Sequence, residues 1–122
     1  MVVRVKDRFV FSGVVTPSDL GVETTVVALP DYPDFILVEG YIDVSALASD
    51  DVLDVSVYLA VDGVNPGLYD RVRLVGTVET PIVRVTPMYI RGDGKFKVTV
   101  NQIAGSLKGF PYWFIVLVHE VV

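Results

Sequence analysis

Cysteine is absent from this chain, so it has no disulfide, thiol nucleophile, zinc–thiolate site or iron–sulfur cluster to call on. Histidine occurs once, at His119. Side-chain amides are almost as rare, with one glutamine and two asparagines. That scarcity of thermolabile residues points to a thermophile, although four lysines fall short of the usual thermophile enrichment. Helix formers are thin as well: five alanines and four glutamates in 122 residues. There is no basic run to neutralise a phosphate backbone. With a formal charge of -5, no nucleic-acid partner is expected. The longest apolar run, Tyr112 to Val118, is far below the ~20 residues of a spanning helix. The opening Met1-Val2-Val3-Arg4-Val5-Lys6 reaches charge too early for a secretory signal. Aromatics do not bracket the strand candidates as the girdles of a membrane barrel would, so no membrane partner is expected.

What the chain has is valine, 27 of them. A β-branched side chain is stiff at χ1 and packs well on a pleated surface. Hydrophobic residues make up 52% and charged ones 20%, which excludes a disordered chain. Ten glycines and seven prolines punctuate the length. The composition predicts an all-β protein, one domain over residues 1–122.

Strand candidates follow one another at short spacing. They are Val2–Lys6 and Phe9–Val15, with Gly13 as a bulge position, then Glu23–Leu29, Phe35–Val44, Val52–Val61, Leu68–Val78, Ile82–Arg91, Lys95–Ile103 and Tyr112–Val122. Pro87 demotes part of its segment to an edge or bulge. Gly92-Asp93-Gly94 reads as a tight hairpin turn with positive φ at its glycines. In the cleanest segment Leu53, Val55, Val57, Leu59 and Val61 alternate with Asp54, Ser56, Tyr58 and Ala60, giving one core face and one wetter face. Phe96, Val98 and Val100 alternate in the same way, and together the two sets predict one inner face. Connections of varied length favour an antiparallel two-sheet β-sandwich of jelly-roll or Greek-key type, with about eight strands.

Chemistry-bearing patterns are few. A serine triad would need His119 as its base, but it sits near an apolar strand end, with neither a G-x-S-x-G elbow nor a Gly-rich phosphate loop elsewhere. Aspartates gather at Asp31 and Asp34, at Asp50, Asp51 and Asp54, and at Asp62 and Asp93, without the spacing of a calcium loop. They read as turn formers. No catalytic, metal or cofactor residue is assigned, and the chain is expected not to be an enzyme. Arg91-Gly92-Asp93 resembles an integrin-binding tripeptide, but turn chemistry accounts for it. Rings at Tyr58, Tyr69, Tyr89 or Trp113 could stack sugars if they were exposed in one plane.

The last strand stands out. Tyr112, Phe114, Val116 and Val118 point one way; Trp113, Ile115 and Leu117 point the other. Only one set can meet the chain's own core, so the other needs a second cover. The oligomer interface is therefore expected within Tyr112, Trp113, Phe114, Ile115, Val116 and Leu117.

Tyr41-Ile42-Asp43-Val44-Ser45-Ala46-Leu47 running on to Val57-Tyr58-Leu59-Ala60-Val61-Asp62-Gly63, together with Lys95 to Gly105 and Lys108-Gly109-Phe110-Pro111-Tyr112, resembles small β-sandwich proteins of archaeal and viral or proviral genomes, some of them virion-component-like. The resemblance implies a jelly-roll-like sandwich whose work is assembly. A structural protein that self-assembles is thus expected: a capsid, decoration or turret subunit in a virion or its host's cytoplasm, partnered by itself and other virion proteins. The alternative expectation is a carbohydrate- or ligand-binding module.

Overall fold

A computed structural model describes Val2–Val122, and within the strands every side chain but that of Thr86. Eight strands form: β1 (Val3–Val15), β2 (Thr24–Ala28), β3 (Ile36–Asp43), β4 (Val52–Leu59), β5 (Gly67–Val75), β6 (Ile82–Ile90), β7 (Lys97–Ala104) and β8 (Phe110–Val121). They make two antiparallel four-stranded sheets, ordered β1-β8-β3-β6 and β2-β7-β4-β5.

The wiring is one long hairpin rolled up. β1 pairs with β8, β2 with β7, β3 with β6 and β4 with β5. Rolling brings β8 against β3 and β7 against β4 as well. This is the eight-stranded jelly roll expected from the uneven connections.

Several local expectations need correction. The first two segments are one strand, bulged between Val5 and Asp7, while Gly13 pairs in register with Tyr112. A bulge at that point re-aims the chain without breaking its pairing. β5 stops at Val75 because Gly76 takes a φ of 69° and donates its N–H to the Asp51 carbonyl. The segment after β6 is not a hairpin, because β6 and β7 lie in different sheets. Its positive φ falls on Lys95 (51°) rather than on Gly92 or Gly94. Gly92 is needed for another reason: a Cβ there would stand 2.0 Å from the Asp34 carbonyl oxygen.

Between the sheets lies the core. Leu53, Val55, Val57, Phe96, Val98 and Val100 are buried on one inner face as expected, with Leu59 half-buried; β4 ends there, so the alternation lapses, and Val61 is exposed while Ala60 is buried. Ile36, Val38, Ile42, Phe110, Phe114, Val116 and Val118 close it from the other sheet. Gly40 sits opposite Phe114, whose ring covers it; a Cβ at Gly40 would lie 2.1 Å from Phe114 Cδ1.

One end of the sandwich is locked by two buried polar side chains. Asp51 accepts N–H bonds from Ala48 (2.8 Å) and Ser106 (3.1 Å) and pairs with Lys108 Nζ (3.1 Å). Gln102 donates to the Ser106 carbonyl (2.6 Å) and accepts from Lys108 N–H (3.2 Å). Their backbone carbonyls hold Gly76 N–H and Gly21 N–H. All four connections at that end (β1–β2, β3–β4, β5–β6 and β7–β8) meet there.

Candidate functional site

The register places the second apolar set of β8 on the outer face of the first sheet. Phe114, Val116 and Val118 are buried in the core, so Trp113, Ile115 and Leu117 face away from it. Neighbouring strands extend this face in rows. Ser12, Trp113, Tyr41 and Arg84 form one row. Val10, Ile115 and Glu39 form the next. Arg8, Leu117, Leu37 and Tyr89 follow, then Val5 with His119, and Val3 with Val121.

No layer of the described chain covers this face. Trp113 keeps 39% of its surface exposed, Val10 49% and Tyr89 66%, while Ile115, Leu117 and Leu37 are only half-buried by their neighbours. Its charges balance. Arg8 and Arg84 stand against Glu39 and Asp43, with Arg84 and Glu39 3.8 Å apart. The formal charge of -5 is therefore carried elsewhere on the molecule.

The opposite outer face, on the second sheet, is polar. Asp54 binds Arg73 through two hydrogen bonds of 2.8 and 2.9 Å. Glu23 accepts from the hydroxyls of Tyr58 and Thr99, Arg71 donates to Ser56 Oγ (2.8 Å), and Lys97 lies over the Tyr58 ring. The expected wetter face of β4 is thus polar but largely dry: Asp54 and Ser56 are buried beneath the long side chains of β5. Arg73 holds the Asp54 carboxyl below its usual range, burial opposing it. For Glu23, bonds from Thr99 and Tyr58 do the same.

The other singled-out residues fall into place structurally. His119 is buried, stacked on Phe35 with ring centroids 4.8 Å apart, and its Nδ1 lies 3.1 Å from the Leu117 carbonyl oxygen. Its partners are aromatic and backbone groups rather than a serine. Asp62 caps the β4–β5 loop, accepting from the N–H groups of Asn65 and Val64, which lowers its carboxyl to about 2. Arg91 and Asp93 of the tripeptide are paired with each other through two bonds. No group of three or more His, Asp or Glu gathers among the described residues. Tyr58, Tyr69, Tyr89 and Trp113 are spread over both sheets, although Tyr69 and Tyr89 line one hollow between β5 and β6. Sequence reasoning missed Tyr41. Its register partner on β8 is Trp113, with ring centroids 6.5 Å apart and planes at 29°, above a small hollow that Asp43, Ile82 and Pro111 help to line. Its position opposite Trp113 depended on non-local pairing that periodicity within one strand does not reveal.

No protein-family model matches the chain, and no curated protein matches it in sequence. Among solved structures it is similar to the VP2 subviral particle of infectious bursal disease virus: 12% identity and a TM-score of 0.49, covering 94% of this chain and 34% of that one. It is also similar to a structure of the Gt strain of infectious bursal disease virus: 14% identity and a TM-score of 0.39, covering 95% of this chain and 32% of that one. The chain spans about a third of the length of either.

Proposed function

We propose that this chain is a non-enzymatic structural subunit that assembles with copies of itself, as a capsid, decoration or turret component of a virion. The observation that carries the reading is the outer face of the β1-β8-β3-β6 sheet. A contiguous apolar face rimmed by polar groups marks an interaction surface. Its balanced charge selects the partner. Copies of a chain carrying -5 repel one another over most orientations, and this face is one on which they need not. The jelly-roll wiring is one that shell-forming domains use, and lectin domains and cupins use it too, so the fold alone does not choose among them. Within the expected interface set, Trp113, Ile115 and Leu117 belong to the contact; Tyr112, Phe114 and Val116 belong to the protomer's own core.

Native mass measured at micromolar concentration tests the reading. An oligomer is expected that Leu117→Lys dissociates into folded monomers. A wild-type chain that is strictly monomeric across that range overturns it.

One observation favours a second reading, a carbohydrate-binding module: the exposed Tyr41–Trp113 pair with Asp43 beside it. Glycan binding that is abolished by Trp113→Ala and retained in the monomeric variant would support it over assembly.

A further inference from the structure

We infer that the contact between copies is gated by protons at His119, forming while the imidazole is neutral and opening as it charges. The inference rests on reading the β1-β8-β3-β6 face as a subunit contact. His119 is the chain's only histidine and lies on that face, in register with Val5. Phe35 stacks on its ring and Tyr89 meets it edge-on at 5.5 Å.

The carbonyl oxygen of Leu117 can only accept, so Nδ1 carries the proton that bridges them. Nε2 has no hydrogen-bond partner among the described residues, and the side chain keeps only a small exposed remnant, 6% of the residue's surface. In the free protomer water can serve it in either protonation state. A second copy laid on the face shuts that water out. A neutral ring then loses one weak acceptor contact, whereas a charged ring must bury an N–H donor and a cation.

The elements packed against the ring bring mainly cations and neutral groups. β1 brings Arg4 and Lys6 on either side of Val5, with Arg8 beyond the bulge. The β2–β3 loop brings Phe35 next to Asp34, and β6 brings the Tyr89 hydroxyl. On β8 itself, Glu120 is already paired with Arg4 at 2.6 Å. Among the described residues no carboxylate forms an ion pair with the ring. Imidazole is the side chain that ordinarily changes charge between pH 5 and 8. Guanidinium, ammonium and phenol groups ordinarily change charge well above that window and carboxylates below it.

The sign is diagnostic. If the contact takes up fewer protons than the free copies, acidification favours the free copies. General electrostatics predicts the reverse, because the net negative charge shrinks as pH approaches the sequence pI of 4.6.

The test measures the self-association constant by sedimentation equilibrium at pH 7.5 and 5.5, at fixed ionic strength, for wild type, His119→Gln and His119→Phe, with circular dichroism confirming the fold of each. Wild type should associate about tenfold or more weakly at the lower pH, and both variants should change by less than about twofold. Wild-type association that holds or tightens on acidification overturns the inference, as does an equal pH dependence in the variants. Absence of association in all three proteins at both pH values overturns the subunit-contact reading itself, and the inference with it.

Discussion

Gln102 and Asp51 show how much of this molecule's order depends on single polar side chains in a valine-rich chain. Gln102 is fully buried and spends its amide on two separate loop contacts. Gln102→Leu keeps its bulk but strands the Ser106 carbonyl and the Lys108 N–H; chemical denaturation should show a loss of about 1–3 kcal/mol. In the core, Val98 is wholly inaccessible, and Val98→Ala should cost about 1–3 kcal/mol through lost transfer energy and the cavity left behind. Acid sensitivity also belongs to particular residues. Asp54, Asp51 and Asp62 all titrate below the ordinary carboxylate value in the folded chain, through Arg73, through the Ala48 N–H and through the Asn65 and Val64 N–H groups respectively. A depressed folded value stabilises the fold above the unfolded value near 3.8, and this is lost as pH falls towards about 2, the value held by Asp62. The melting temperature should therefore drop steeply between pH 4 and 2, and Asp54→Asn should flatten part of that slope.

At the scale of the element, β8 is the strand whose two faces have different tasks. A lysine at position 116 points into the core, one at 115 into the outer face. Val116→Lys should abolish the cooperative unfolding transition, whereas Ile115→Lys should leave the far-UV spectrum unchanged and lower the native mass. If both variants unfold and neither alters the mass, β8 is covered on both sides within its own chain. β8's double apolar character was legible because period-two alternation puts a residue's face into its sequence number. So were β4 and β7, where Leu53 to Val57 and Phe96 to Val100 alternate cleanly. The crossing at Arg91–Phe96 was not legible. Two alternating segments joined by Gly-Asp-Gly look alike whether they pair with each other or enter different sheets, because the choice is made by strands far along the chain. The dryness of Asp54 was hidden for the same reason, since Arg73 reaches it only through the β4–β5 pairing. The choice between the two faces of β8 was also out of reach, because it depends on where the partner sheet lies.

In the whole molecule, the sheet orders hold one further regularity. Number the strands by halves of the chain, β1 to β4 and β5 to β8. Along β1-β8-β3-β6 and along β2-β7-β4-β5 the halves alternate at every step. Each strand is thus hydrogen-bonded only to strands of the other half. A nascent chain emerging from the ribosome can make no native sheet contact until β5 follows β4 into solution, and β1 waits for β8. Such long-range pairing predicts refolding on the millisecond-to-second scale rather than in microseconds, which stopped-flow fluorescence of Trp113 would register. It also makes the β4–β5 loop a natural place to divide the protein. Fragments 1–62 and 63–122 should each lack native sheet structure alone and regain the full β spectrum on mixing, the behaviour wanted of a split reporter whose halves stay silent until they meet.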